Sequence, residues 1–169
     1  FKETRKRYLD ILFSAKDEAS AIRAASKLLD LATDRATLFV SDRTESEFET
    51  LKSALQGTGR GLVLGGAKAI KDLERDQKLR LIRTIKDEID SALLDYSTLL
   101  RDSLVSNSNR INLDLNEEID RLKSTTKSEL RSHVLTVMSH TRELLTSNAS
   151  QLMLLERMFL AFAPLNRGN

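Results

Sequence analysis

Apolar residues recur in steps of three and four along almost the whole chain, which is the pattern of amphipathic helices rather than strands. From about Lys2 to Val40 the marks are Tyr8, Leu12, Ala15, Ala19, Ile22, Ala25, Leu29, Ala32, Ala36 and Phe39. Alanine crowds the middle of this stripe, so a neighbouring helix can approach closely there. A single helix over that stretch would be about 60 Å long. Ser41 to Thr44 interrupt the pattern. Thr44 followed by Glu47 reads as a capping box that opens a second, shorter helix marked by Phe48, Leu51 and Leu55 and closed by Gly57.

Five of the six glycines fall between residues 57 and 66, at Gly57, Gly59, Gly61, Gly65 and Gly66. This is the strongest discontinuity in the chain, because glycine releases the backbone from helix. A third helix is expected from about Ala67 to Val105, with Ile82, Ile85, Ile89, Leu93, Tyr96 and Leu100 as its stripe. Ser106 to Asn109 supply turn chemistry and predict a bend. The last helix is expected from about Ile111 to Ala163, marked by Ile119, Leu122, Val134, Val137, Leu155, Phe159 and Phe162. Its spacing drifts between Leu122 and Val134, which reads as a stutter. The expected fold is therefore all-α, an elongated helical bundle or coiled coil of about four helices. Within one domain, 1–169, it comprises a first helical pair at 1–56, a glycine-rich connector at 57–66 and a long helical hairpin at 67–169.

Composition narrows the function classes. Apolar residues make up 40% of the chain but aromatics only 5%, which suits thin helix-on-helix seams rather than a thick interior. With 27 basic and 25 acidic side chains the net charge is +2, short of the basic excess that phosphate neutralisation demands, so no nucleic-acid partner is expected. There is no cysteine, hence no disulfide, thiolate metal site or thiol nucleophile. No apolar run approaches the roughly 18 residues that cross a bilayer. The start, Phe1 to Tyr8, is polar and basic rather than a signal peptide. It lies inside a helical pattern, as the interior of a longer helix would.

Candidate chemistry is sparse. Gly61 and Gly66 have the outer spacing of a phosphate-binding loop, but Ala67 intervenes before Lys68 and no hydroxyl follows to hold magnesium. A connector is the reading for most of that loop, and a small membrane tip is the functional one. Leu62, Val63 and Leu64 would enter a lipid surface, flanked by Arg60, Lys68 and Lys71. His133 and His140 lie seven residues apart, over about 10 Å of helix rise, too far for one metal ion without other ligands. They read as helix-surface residues. No serine is paired with a base and an orienting acid, so no catalytic residue, metal or cofactor is assigned.

Between Ala36 and Leu55, the residues Leu38, Phe39, Ser41, Asp42, Glu47, Phe48 and Leu51 follow an order of short apolar pair, polar break and amphipathic helix. That order resembles the all-helical extracytoplasmic sensor domains of bacterial chemoreceptors and histidine kinases, as does Ile89 to Leu104 around Tyr96. The resemblance implies a non-enzymatic sensor or interaction module of a membrane-attached signalling protein, transmitting ligand or partner binding through helix repacking. Such a module would be periplasmic, although Arg5, Lys6 and Arg7 favour a cytoplasmic side for any preceding span. From Asn109 to Leu122, around Asn112-Leu113-Asp114-Leu115-Asn116, the chain is similar to mitochondrial inner-membrane coiled-coil proteins of the calcium-uniporter-regulator type. That likeness implies the alternative, a mitochondrial or cytoplasmic coiled-coil scaffold that shapes membranes. Both readings predict a homo-oligomer formed by helix packing.

Overall fold

The computed structural model describes residues 2–56 and 63–167. The protein is all-α: six α-helices and two short 3₁₀ turns, with no strand among the described residues. Helix α1 spans Lys2–Ser14, α2 Glu18–Gln56, α3 Val63–Leu104, α4 Asn116–Thr125, α5 Ser128–Leu145 and α6 Gln151–Asn166. The 3₁₀ turns, Asn107–Asn109 and Leu113–Leu115, lie in the bend expected after α3.

Several boundaries differ from the sequence reading, each for a local reason. The expected first helix is two helices. Asp17 Oδ1 accepts the Ser20 N–H at 2.7 Å, while Ser20 Oγ accepts the Lys16 and Asp17 N–H groups at 2.9 Å, a reciprocal cap that starts α2 afresh. The cap draws the Asp17 carboxyl below its usual range through those Ser20 bonds. Conversely, α2 runs unbroken through Ser41 to Thr44, where a break was expected. Thr37, Ser41 and Thr50 turn their hydroxyls onto carbonyls of the preceding turn instead of capping. Helix α3 begins at Val63, so Gly65 and Gly66 are helical. A Cβ built on Gly66 would lie 3.1 Å from Leu55 Cδ2, so the missing side chain lets the two helices approach there.

The expected last helix is three. Thr126 leaves the helix in an extended conformation, φ −133° and ψ 151°, where the spacing had suggested a stutter. Arg131, almost wholly buried, folds back so that Nη1 donates to the carbonyls of Leu122 at 3.1 Å and of Thr126, closing α4. Ser150 then caps α6 by accepting the Met153 N–H.

The chain forms two compact units. The larger takes Phe1–Leu31 with Ile89–Asn169, and the smaller is Ala32–Glu88. In the larger unit α5 packs along α6, and a core of Leu12, Leu28, Leu93, Tyr96, Phe159 and Phe162 is fully buried. Tyr96 meets Phe159 edge to face at 6.2 Å and donates its hydroxyl to the Tyr8 carbonyl at 2.7 Å. Asn166 donates to the carbonyls of Leu12 at 3.3 Å and Ala15 at 2.9 Å, satisfying the end of α1.

Candidate functional site: a groove on the helical hairpin

In the smaller unit the arms Ala32–Gln56 of α2 and Val63–Glu88 of α3 form a helical hairpin. Among its described residues the buried apolar side chains are Ala32, Ala36 and Val40, with Leu51, Leu55 and Leu73 half-buried. Polar contacts also bridge the seam. Arg35 Nε pairs with Glu88 at 2.8 Å, and Gln77 donates its amide to the Thr44 carbonyl at 3.1 Å. Glu47 accepts from Arg43 at 2.8 Å, one turn back on α2, and from Arg80 of α3 at 2.9 Å. The two residues read as a capping box, Thr44 and Glu47, thus bridge the helices instead of starting one.

The hydrogen bond from Arg80, followed by that from Arg43, pulls the Glu47 carboxyl down to about 2. Because this pKa lies below its ordinary value near 4.5, the contribution is complete above that pH and drains away as pH falls toward 2. Glu47→Gln should therefore be less stable than the parent near neutral pH, with the gap closing on acidification. Thermal melts of both chains across that window check this, and a gap independent of pH would sink it.

Beside the seam runs an open groove of about 540 Å³. Val40, Thr44, Phe48 and Leu81 line it, with Glu45 on the α2 side and Lys78 on the α3 side. Phe48 keeps 38% of its surface exposed in a position where a globular core would cover it. Elsewhere on the hairpin Leu38 and Phe39 are 75% and 80% exposed, and Leu79 and Ile82 are also open to solvent. This density of exposed apolar side chains on one thin helix pair is the surface feature that most needs a partner.

The residues expected at a membrane tip are placed only in part. Arg60 and Leu62 lie outside the described residues, and Val63 and Leu64 form the first turn of α3. Lys68 and Lys71 are exposed along the same helix. His133 and His140 are both exposed on α5, and His140 Nδ1 lies 3.5 Å from Glu143. Among the described residues no group of three or more His, Cys, Asp or Glu is gathered as a metal site would require. No helix of the described residues is long and apolar enough to cross a membrane.

Sequence reasoning missed a polar network in the larger unit. Asp102, fully buried on α3, accepts at Oδ2 from the Ile111 and Asn112 N–H groups and the Asn112 amide, at 2.7–2.9 Å. Burial pushes its carboxyl up, but the bonds from Asn112, Ile111 and Arg101 outweigh this and hold it below the usual range. Arg5 reaches the Asn112 amide oxygen and, at 2.6 Å, Asp114. Arg110 spans Asn116 at 2.9 Å and Asp120. Every charge in this network is spent on another group of the chain, so its role is to fix the 106–115 bend. No family model, no curated protein and no solved structure matches the chain.

Proposed function

We propose that the chain is a non-enzymatic helical interaction module of a membrane-attached signalling protein, responding to a partner by repacking its helices. The observation that carries this reading is the construction of the hairpin. Its seam combines small buried residues and half-buried leucines with exchangeable polar bonds, Arg35 with Glu88, Gln77 with Thr44 and Glu47 with Arg80, beside an apolar groove that the chain leaves open. A large interdigitated core resists sliding, because each side chain would have to leave a fitted pocket. Small residues and surface ion pairs, worth little individually, let two registers lie close in energy. Helices α2 and α3, of 39 and 42 residues, are long enough to pass a change of register along their own length.

The chain has no cysteine, so paired spin labels can be placed without background. Ser46→Cys and Asp87→Cys, both exposed, put one label on each arm at different heights along the hairpin. Pulsed electron–electron resonance is expected to resolve two distances differing by about 3–5 Å, the projection of one helical turn of sliding. Glu47→Ala, which removes the arginine bridge, should raise the share of the minor one. A single distance unmoved by Glu47→Ala would overturn the repacking mechanism.

A further inference from the structure

The groove lies between arms of opposite charge. Ala32–Gln56 carries five acidic and three basic side chains, whereas Val63–Glu88 carries seven basic and five acidic. Glu45 edges the groove on the acidic arm, and Lys78, with Glu74 one turn away, edges it on the basic arm. Neither Glu45 nor Lys78 forms an ion pair among the described residues. From these facts we infer that the groove is the interface for a second copy of this chain. The two copies meet face to face about a two-fold axis that lies in the interface and runs parallel to the groove, forming a four-helix layer pair. The inference rests on the interaction-module reading above and names its partner.

A two-fold rotation exchanges the arms, so the acidic α2 arm of each copy lies over the basic α3 arm of the other. Gln77 bonds Thr44, so their neighbours Lys78 and Glu45 stand at about one level, and the rotation sets Glu45 of one copy against Lys78 of its partner. It also lays the two open apolar floors against each other. Isologous contact of this kind uses one patch twice and closes on itself without leaving a free edge. The dimensions are adequate. The Ala32–Gln56 arm is about 37 Å long, and two helices side by side about 20 Å wide. The resulting face of about 700 Å² approaches the roughly 800 Å² per partner of a standard stable interface.

Sedimentation of the full chain over a dilution series should show a monomer–dimer equilibrium. Phe48→Glu puts a charge on the floor at a half-open position and should weaken association about 100-fold, with the helical spectrum unchanged. Glu45→Lys and Lys78→Glu should each weaken it about 10-fold. The double variant Glu45→Lys/Lys78→Glu should recover the dimer, because the rotation pairs each position with the other. A Glu45→Cys chain mixed with a Lys78→Cys chain should give a covalent heterodimer on oxidation, lost when both also carry Phe48→Glu. A parent chain that stays monomeric, or a double variant as weak as the singles, would overturn the second copy as occupant. A monomeric parent would leave the groove to a helix of another protein. The spin-label distances are independent of this outcome. Two registers in a monomeric chain would remove the dimer alone, whereas one fixed register in a dimeric chain would remove the repacking mechanism alone.

Discussion

Asp102→Ala should unfold the 106–115 bend and lower the melting temperature by about 10 °C, the equivalent of roughly 3–5 kcal/mol for a chain of this size. The carboxylate is fully buried, and one of its oxygens gathers three N–H donors from Ile111 and Asn112. Alanine removes the acceptor and leaves those donors facing a void, in a residue, Asn112, that is itself buried. Stranded buried donors cost far more than a surface ion pair gains. Arg101→Ala is the contrast. Its guanidinium also touches Asp102, at 2.9 Å, but is 41% exposed, so losing it should cost less than about 1 kcal/mol. Asp102→Asn keeps the volume and one acceptor oxygen, and should fall between them. If the Asp102→Ala and Arg101→Ala chains melt together, the network does not hold the bend.

Phe159→Ala should be comparably damaging, at roughly 3–5 kcal/mol in urea denaturation. The ring is fully buried on α6 and lies edge to face with Tyr96 of α3. Deleting it creates a cavity beside a buried hydroxyl that ties α3 to α1, through the Tyr8 carbonyl. Tyr96→Phe separates the two contributions, since it removes only that hydrogen bond and should cost roughly 1 kcal/mol. A Phe159→Ala chain no weaker than the Tyr96→Phe chain would mean that the surrounding side chains close over the gap.

Helical class was legible because period and composition agree along the chain, and phase was legible too at marks such as Leu12, Ile89, Tyr96, Leu122 and Phe159, all buried, but it slipped in parts of α2. Adjacent apolar residues such as Ala21 and Ile22, or Leu28 and Leu29, allow two stripes one position apart. The structure buries Ala21, Ala24 and Leu28, and leaves Ile22 46% exposed and Phe39 80% exposed. The interruption at Asp17 and Ser20 was hidden because apolar residues continue through it at helical spacing, and the cap is made by two small polar side chains among many. Thr44 and Glu47 misled for the opposite reason: a capping-box spacing also suits residues facing a neighbouring helix. Of the groove, Phe48 was recognised as an apolar mark, but Glu45 and Lys78 come together only when α3 folds back on α2. The Asp102 network had a weaker signal still. Its carboxylate lies mid-pattern in α3, and nothing local shows that it reaches forward nine or ten residues to the bend.

Asn166 closes the end of α1 from 154 residues away, at Leu12, and that separation has a consequence for synthesis. A ribosome adds roughly 5–20 residues per second, so α1 emerges on the order of ten seconds before its terminating side chain exists. The hairpin, whose residues are consecutive, is made within that interval. Throughout it Phe13 lacks Phe162 and the Leu12 carbonyl lacks Asn166, so α1 stays open to a holding chaperone until residue 166 is made.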